Sequence, residues 1–270
     1  DIAKPILPHL VRSVLEAGAH PKIDFLPTEI TKTFLEYATE EQIQFFPSAL
    51  KRAEVDLVDH QIVIIADANP RELAAIDPKK IFRLMDAKKQ YRDWLNIKEQ
   101  QGNLSWTLAL FGTEAMAKEA GLTINEYWGQ IIEACYLDAK DPVGEWRRIQ
   151  NEQERVKTSL NSMEIDRVHV KGEDVDLWVK IGKKRKWLGG SGRNIPSSEI
   201  FVSPDWRGTQ GWIRFNQPLY RYGNILKDVR LAFKDGLVTE ADAKQGVDVL
   251  RSMIARENAN KVGEFSLTDK

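Results

Sequence analysis

Cysteine is almost missing from this sequence: Cys135 is the only one in 270 residues. No disulfide can form within the chain, and so sparse a count suits a reducing, cytoplasmic setting. No apolar run approaches the roughly 18 residues that a membrane-spanning helix needs. The first residues show no basic stretch followed by an apolar one, so no signal peptide is legible there. An excess of one charge is also lacking, since 39 Lys and Arg against 40 Asp and Glu leave a net charge of −1. That balance gives no global attraction to nucleic acid or to an acidic membrane surface. Histidine is scarce, and His9, His20, His60 and His169 have no His or Cys two to four residues on, so the local spacing of a zinc site is absent. No Gly-x-Gly-x-x-Gly follows any strand that can be placed, which removes the dinucleotide-binding reading. Neither an internal repeat nor a low-complexity tract is present.

What is present organises into two parts. With 42% hydrophobic residues the chain can bury a sizeable core. Leu7, Leu10, Val11, Val14 and Leu15 share one helical face, which Gly18 closes. A short strand is expected around Lys22 to Phe25, then two helical pieces through Leu35 and Ile43. Ile62 to Ala66 is apolar and β-branched, as in a parallel strand buried on both faces. Asp77-Pro78 starts a long helix, with the Asp as cap and the Pro in the first turn. Leu104 to Gly112 reads as the next strand, and Thr113 to Leu137 as two short helices broken at Gly121. Asp141-Pro142 opens another long helix carrying Val143, Trp146, Ile149, Val156, Leu160 and Met163. This alternation predicts an open α/β layer domain with a mainly parallel sheet over residues 1–163.

The period then changes from helical to twofold. Val168 and Val170, then Val175, Leu177, Val179 and Ile181, alternate with polar neighbours across the turn Gly172-Glu173-Asp174. Ile213 with Phe215, and Val229 with Leu231 and Phe233, continue the pattern, and Asp235-Gly236 is a strong hairpin turn. Thr239 is expected to cap a helix carrying Val247, Leu250 and Ile254. An antiparallel-rich α+β domain is therefore expected over 164–270, incomplete where the sequence stops. The chain also begins in what reads as a helix, so it is expected to start inside a domain.

Several residues could carry chemistry. Cys135 has no nucleophile signature and reads as a small buried hydrophobe. Lys183-Lys184-Arg185-Lys186 precedes the glycines at 189, 190 and 192, whereas a phosphate loop places its lysine after them. The cluster reads as a solvated hairpin turn rather than a phosphate or nucleic-acid site. Glu199 and Glu264 each sit at the head of a short strand, in apolar company. An unpaired carboxylate there is costly, so it takes an arginine or a metal. Arg193 or Arg214 could serve as that arginine, and two converging carboxylates would equally suit a divalent cation.

Asn194-Ile195-Pro196-Ser197-Ser198-Glu199-Ile200-Phe201 resembles the Asn-x-Pro-x-Gly-Glu-x-Phe motif of the thermophilic metallo-aminopeptidases, the aminopeptidase T family. Asn260-Lys261-Val262-Gly263-Glu264 resembles that family's second Gly-Glu motif, and the separation from 199 to 264 suits it. The hairpin Val229 to Val238, the helix expected from Thr239 and the turn Glu16-Ala17-Gly18-Ala19 extend the likeness along nearly the whole chain. The resemblance implies that residues 164–270 form part of a metal-binding peptidase domain, with Glu199 and Glu264 as metal ligands. Glu264 would be the carboxylate that bridges two divalent ions of the zinc or cobalt class. It further implies hydrolysis of amino-terminal peptide bonds, peptide substrates with a free amino terminus, and a homodimer. Ser198 stands where the family usually has Gly, and Val202 where it usually has Thr. The family's two histidines, aspartate and catalytic tyrosine follow the second motif, and the six residues after Glu264 include no His or Tyr. The family's first strand is missing as well. A fragment or natural truncation, inactive or nearly so, is the resulting expectation. A non-catalytic α/β binding or association module is the alternative, and a small-molecule binding protein rests on fold analogy alone.

Overall fold

A computed structural model describes residues 2–268. The chain divides into two compact units, one running to Asp138 and including Arg193–Pro196, the other comprising Ala139–Gly192 and the residues from Ser197 onward.

The first unit contains helices α1 (Leu7–Glu16), α2 (Ile30–Tyr37), α3 (Glu40–Gln44) and α4 (Ser48–Leu57), then strand β1 (His60–Ile65). Helices α5 (Pro78–Ala87) and α6 (Lys89–Gln100), strand β2 (Ser105–Leu110), and helices α7 (Glu114–Glu119) and α8 (Ile124–Ala134) follow. β1 and β2 pair in parallel, with Ile62 opposite Thr107 and Ile65 opposite Leu110. The two-residue strand Asn194–Ile195 adds in parallel to the other edge of β2. The parallel α/β layer expected from the apolar runs is therefore present.

The local signals also hold. Asp77 accepts from the Lys79 N–H, Thr123 forms a capping box with Glu126, and Gly18 stops α1 at a φ of +76°. Three expectations fail in this unit. Lys22 to Phe25 forms no strand, because no neighbouring strand supplies a ladder; Ile23 and Phe25 stay about half exposed. The helix opening at Asp77 divides at Lys88, which ends α5 and begins α6. β1 is not buried on both faces, since Ile62 is 48% and Val63 41% exposed at the edge of the sheet.

The second unit begins with helix α9 (Pro142–Ser162), the hairpin of β3 (Arg167–Gly172) and β4 (Val175–Lys180), and the short strand β5 (Leu188–Gly189). Asn194–Ile195 is β6; β7 (Glu199–Val202), β8 (Gln210–Phe215), β9 (Leu219–Arg221), β10 (Asn224–Leu226), β11 (Val229–Lys234) and β12 (Leu237–Asp242) follow. Helix α10 (Val247–Ile254) and strand β13 (Phe265–Thr268) complete the described elements. Five strands form one antiparallel sheet in the order β12-β11-β8-β4-β3, and three form another in the order β13-β7-β5. Leu177, Val179 and Phe233 from the first sheet meet Ile200 and Val202 from the second in one buried cluster, joined by Ile181 just after β4 and Trp187 just before β5.

Thr239 does not cap a helix. It lies within β12, which pairs with β11 through Ala241 opposite Leu231, and α10 starts only after Gly246. The tight turn at Asp235 and Gly236, both at positive φ, closes the hairpin, and Thr239 is the extra residue of a bulge between the pairs Ala232–Glu240 and Phe233–Val238, so the ladder outcompetes the local capping signal. Among the described residues no helix is long and apolar enough to cross a membrane.

Candidate metal centre

Glu199 opens β7, and Glu264 immediately precedes β13. These strands are antiparallel neighbours, with Thr268 opposite Glu199 and Phe265 opposite Val202. Ile200 and Val202 enter the core, so the twofold alternation turns Glu199 to the other side of the sheet. One step beyond the ladder, the same register sets Glu264 level with Ser203 and on the side that Glu199 shares. The structure thus sets on one face of the sheet, at opposite ends of this short ladder, two glutamates that are 65 positions apart in sequence (264 − 199).

The strand bearing Glu199 is held by one face of α9. Gln153, Lys157 and Asn161 recur every four residues and so line a single helical stripe. Gln153 Nε2 donates to the Ser197 carbonyl (3.2 Å), Lys157 Nζ to the Gly189 carbonyl (3.5 Å) and Asn161 Nδ2 to the Trp187 carbonyl (3.0 Å). Irregular backbone needs donors that a ladder does not provide, and this stripe supplies them. The sequence reading stressed the apolar residues of α9, yet Val143, Val156 and Met163 are all exposed while Gln153 is buried. Gly189 is required where β5 crosses β7: at a φ of +145°, a Cβ would lie 2.7 Å from the Glu199 carbonyl.

Neither arginine offered by the sequence neutralises the glutamates. Arg193 Nη2 lies 2.6 Å from Glu99, 94 positions away in the sequence, and Arg214 pairs with Asp174 (3.3 Å) and Asp228 (3.5 Å). Among the described residues Glu199 and Glu264 form no ion pair. Glu264 is exposed by surface area, yet partial desolvation by the surrounding chain and then the charge of Glu199 raise its pKa above the ordinary carboxylate value. Two like charges within each other's field, without a counter-charge, form a donor pair that a divalent cation would relieve.

As a metal shell the pair is partial. No group of three His, Cys, Asp or Glu side chains suited to an ion occurs among the described residues, and tight zinc binding usually takes at least three protein ligands. Two of the histidines already have partners. His60 Nδ1 contacts Ser105 Oγ at 2.7 Å, and His169 stacks on Trp178 with its Nε2 2.8 Å from Asp176 Oδ1. Cys135 is buried at the end of α8, and burial raises its thiol pKa, as befits an inert core residue. The partners of Arg193 and Arg214 were invisible in sequence, because only strand pairing brings those acids near.

The chain was compared with known proteins. Residues 2–270 match the model of the family described as thermophilic metalloprotease (M29). Aminopeptidase AmpS of Bacillus subtilis is 27% identical, over 96% of this chain and 68% of its own length. Aminopeptidase 2 of Geobacillus stearothermophilus is 25% identical, over 98% of this chain and 69% of its own. Among solved structures, wild-type AmpT from Thermus thermophilus superposes with a TM-score of 0.84 at 22% identity, over 98% of this chain and 70% of that one. That likeness establishes the shared fold.

Proposed function

This chain belongs to the thermophilic metalloprotease (M29) family, and on that premise we propose that it serves a metal-dependent aminopeptidase that releases amino-terminal residues from peptides. The relatives named above as aminopeptidases support the reaction class. The observation that carries the residue assignment is that β7 and β13 set Glu199 and Glu264 on one face of the sheet, near enough for the charge of Glu199 to act on Glu264, with no ion pair to either among the described residues. In this reading both glutamates are metal ligands, and Glu264 is the bridging carboxylate that the family resemblance implies. When bound, divalent ions of the zinc or cobalt class supply an activated water and a polarised carbonyl. This chain's own contribution is to position the two carboxylates, through the α9 stripe that binds the backbone beside β5 and β7 and through the ladder between β7 and β13.

Two oxygen-donor side chains give a weak site, so the 270 residues alone are expected to take up divalent ions loosely and to show little or no hydrolysis. The enzyme is proposed to work in the cytoplasm and as a homodimer, with the partly exposed apolar edge of β1 among the surfaces open to pairing. The test is an amino-acyl chromogenic assay on this chain with zinc or cobalt added, run beside Glu199→Gln and Glu264→Gln. Turnover that each substitution abolishes would support the ligand assignment and overturn the partial-site claim. Turnover indifferent to both substitutions would overturn the ligand assignment itself.

A further inference from the structure

Four consecutive cations, Lys183, Lys184, Arg185 and Lys186, are all exposed on the turn between β4 and β5. The turn is anchored at both ends. Ile181 before it and Trp187 after it are buried in the core. The Gly182 N–H donates to the Asp166 carbonyl (2.9 Å), the Arg185 N–H closes the turn onto the Gly182 carbonyl (2.9 Å), and the Trp187 N–H donates to Asn161 Oδ1 (2.9 Å). A charge run on a loose loop would dilute its field; this one is held in place.

The local charge does not cancel. Lys183 approaches Glu164 at 3.4 Å, but both side chains are well exposed. Among the described residues Lys184, Arg185 and Lys186 form no ion pair. Arg167, opposite Lys180 at the same end of the β3–β4 hairpin, extends the basic surface, whereas Lys180 is offset by Asp205 at 3.6 Å. In a chain of net charge −1, this is a concentrated positive field at one place. The turn also leads directly into β5, which pairs with β7 through Leu188 opposite Phe201 and Gly189 opposite Ile200, two and one positions from Glu199.

We propose that this basic turn captures an acidic stretch of a polypeptide chain, favouring peptides that carry Asp or Glu. Charge complementarity specifies an anion, and the nearby aromatic surface argues for a peptide over a nucleic acid. Trp178, 40% exposed on this hairpin, is already stacked by His169 at 4.1 Å and approached by Arg167 at 5.2 Å, so the ring a base would stack on is engaged by the protein's own side chains. As a guide to substrate class the inference rests on the peptidase reading, but the capture itself needs no metal.

The experiment is fluorescence anisotropy of a labelled eight-residue Glu-rich peptide with the 270-residue chain, metal-free and at low salt. The probes for comparison are a Gln-rich peptide of equal length and a single-stranded RNA of equal charge. Saturable binding of the acidic peptide is expected, weakened roughly tenfold or more when all four cations are replaced by serine, each exposed pair contributing modestly. Raising the salt should weaken it similarly. Glu199→Gln and Glu264→Gln should leave capture intact, so loss of the metal reading and loss of this one are separable. An unchanged thermal melt for the serine variant keeps the comparison free of misfolding. Equal affinity for the Gln-rich peptide, indifference to the four substitutions, or tighter binding of the RNA would overturn the proposal.

Discussion

Asn161 and Trp187 exchange a reciprocal pair of hydrogen bonds: the Trp187 N–H donates to Asn161 Oδ1 at 2.9 Å, and Asn161 Nδ2 donates to the Trp187 carbonyl at 3.0 Å. The amide thus acts as a substitute strand, completing the backbone of β5's approach where no ladder reaches it. Because Trp187 is buried, Asn161→Ala would strand two polar backbone groups. The expected cost is about 2 kcal/mol of stability, at the level of a buried donor and acceptor left unmade. Asn161→Asp keeps only the acceptor and should fall between the two in urea denaturation. An unchanged midpoint in the alanine variant would show that the pair contributes nothing.

Lys98 performs a related task at the end of α4. Its ammonium donates to the carbonyls of Val55 (2.9 Å), Asp56 (3.1 Å) and Val58 (2.7 Å), with a side chain only 15% exposed. These are the carbonyls that a helix end leaves without intrahelical partners, and a cation there also meets the negative end of the helix dipole. Lys98→Met keeps the stem and removes the donors. It should destabilise the first unit by roughly 1–3 kcal/mol, read as a lower thermal midpoint and faster amide exchange through 55–59.

Asp205 gives the chain an acid-sensitive joint. Its carboxylate accepts from Arg207 Nε (2.7 Å) and Nη2 (2.9 Å), and these bonds depress its pKa from 3.8 to about 2. A depressed carboxylate contributes stability in full above its unfolded pKa and loses it as pH falls through the folded value. The contribution is therefore complete above about pH 4 and gone near pH 2. Asp205→Asn should destabilise the protein at neutral pH while flattening the decline between those limits. Parallel pH profiles for the two proteins would contradict the assignment.

Much of the fold was legible because local chemistry and periodicity agreed. Asp77 and Asp141 each named a helix start, and the twofold alternation at 168–181 and 229–233 named strands that the ladders retain. Two of the misreadings share one cause. Lys22 to Phe25 had strand-like residues but no partner, and Thr239 had a capping pattern but already belonged to a ladder. Pairing partners are set by tertiary structure, and a window of sequence does not contain them. The candidate site divides the same way. The motifs marked Glu199 and Glu264, whereas the diversion of Arg193 to Glu99 and of Arg214 to Asp174 and Asp228 needed the fold. The Gln153, Lys157 and Asn161 stripe was visible as a spacing, but its meaning depended on the carbonyls it faces.

The most direct measurement is manganese uptake, followed by loss of the free-ion electron paramagnetic resonance signal as this chain is titrated with Mn²⁺. The wild-type chain and Glu199→Gln/Glu264→Gln should be compared at matched concentration, with circular dichroism showing both folded. If the two carboxylates form a shared cation site, the wild-type chain removes signal saturably and the double variant loses that uptake by about tenfold or more, as expected when the ligands of a carboxylate site are neutralised. Uptake of equal strength in both proteins, or none in either, would contradict the assignment of Glu199 and Glu264 as metal ligands.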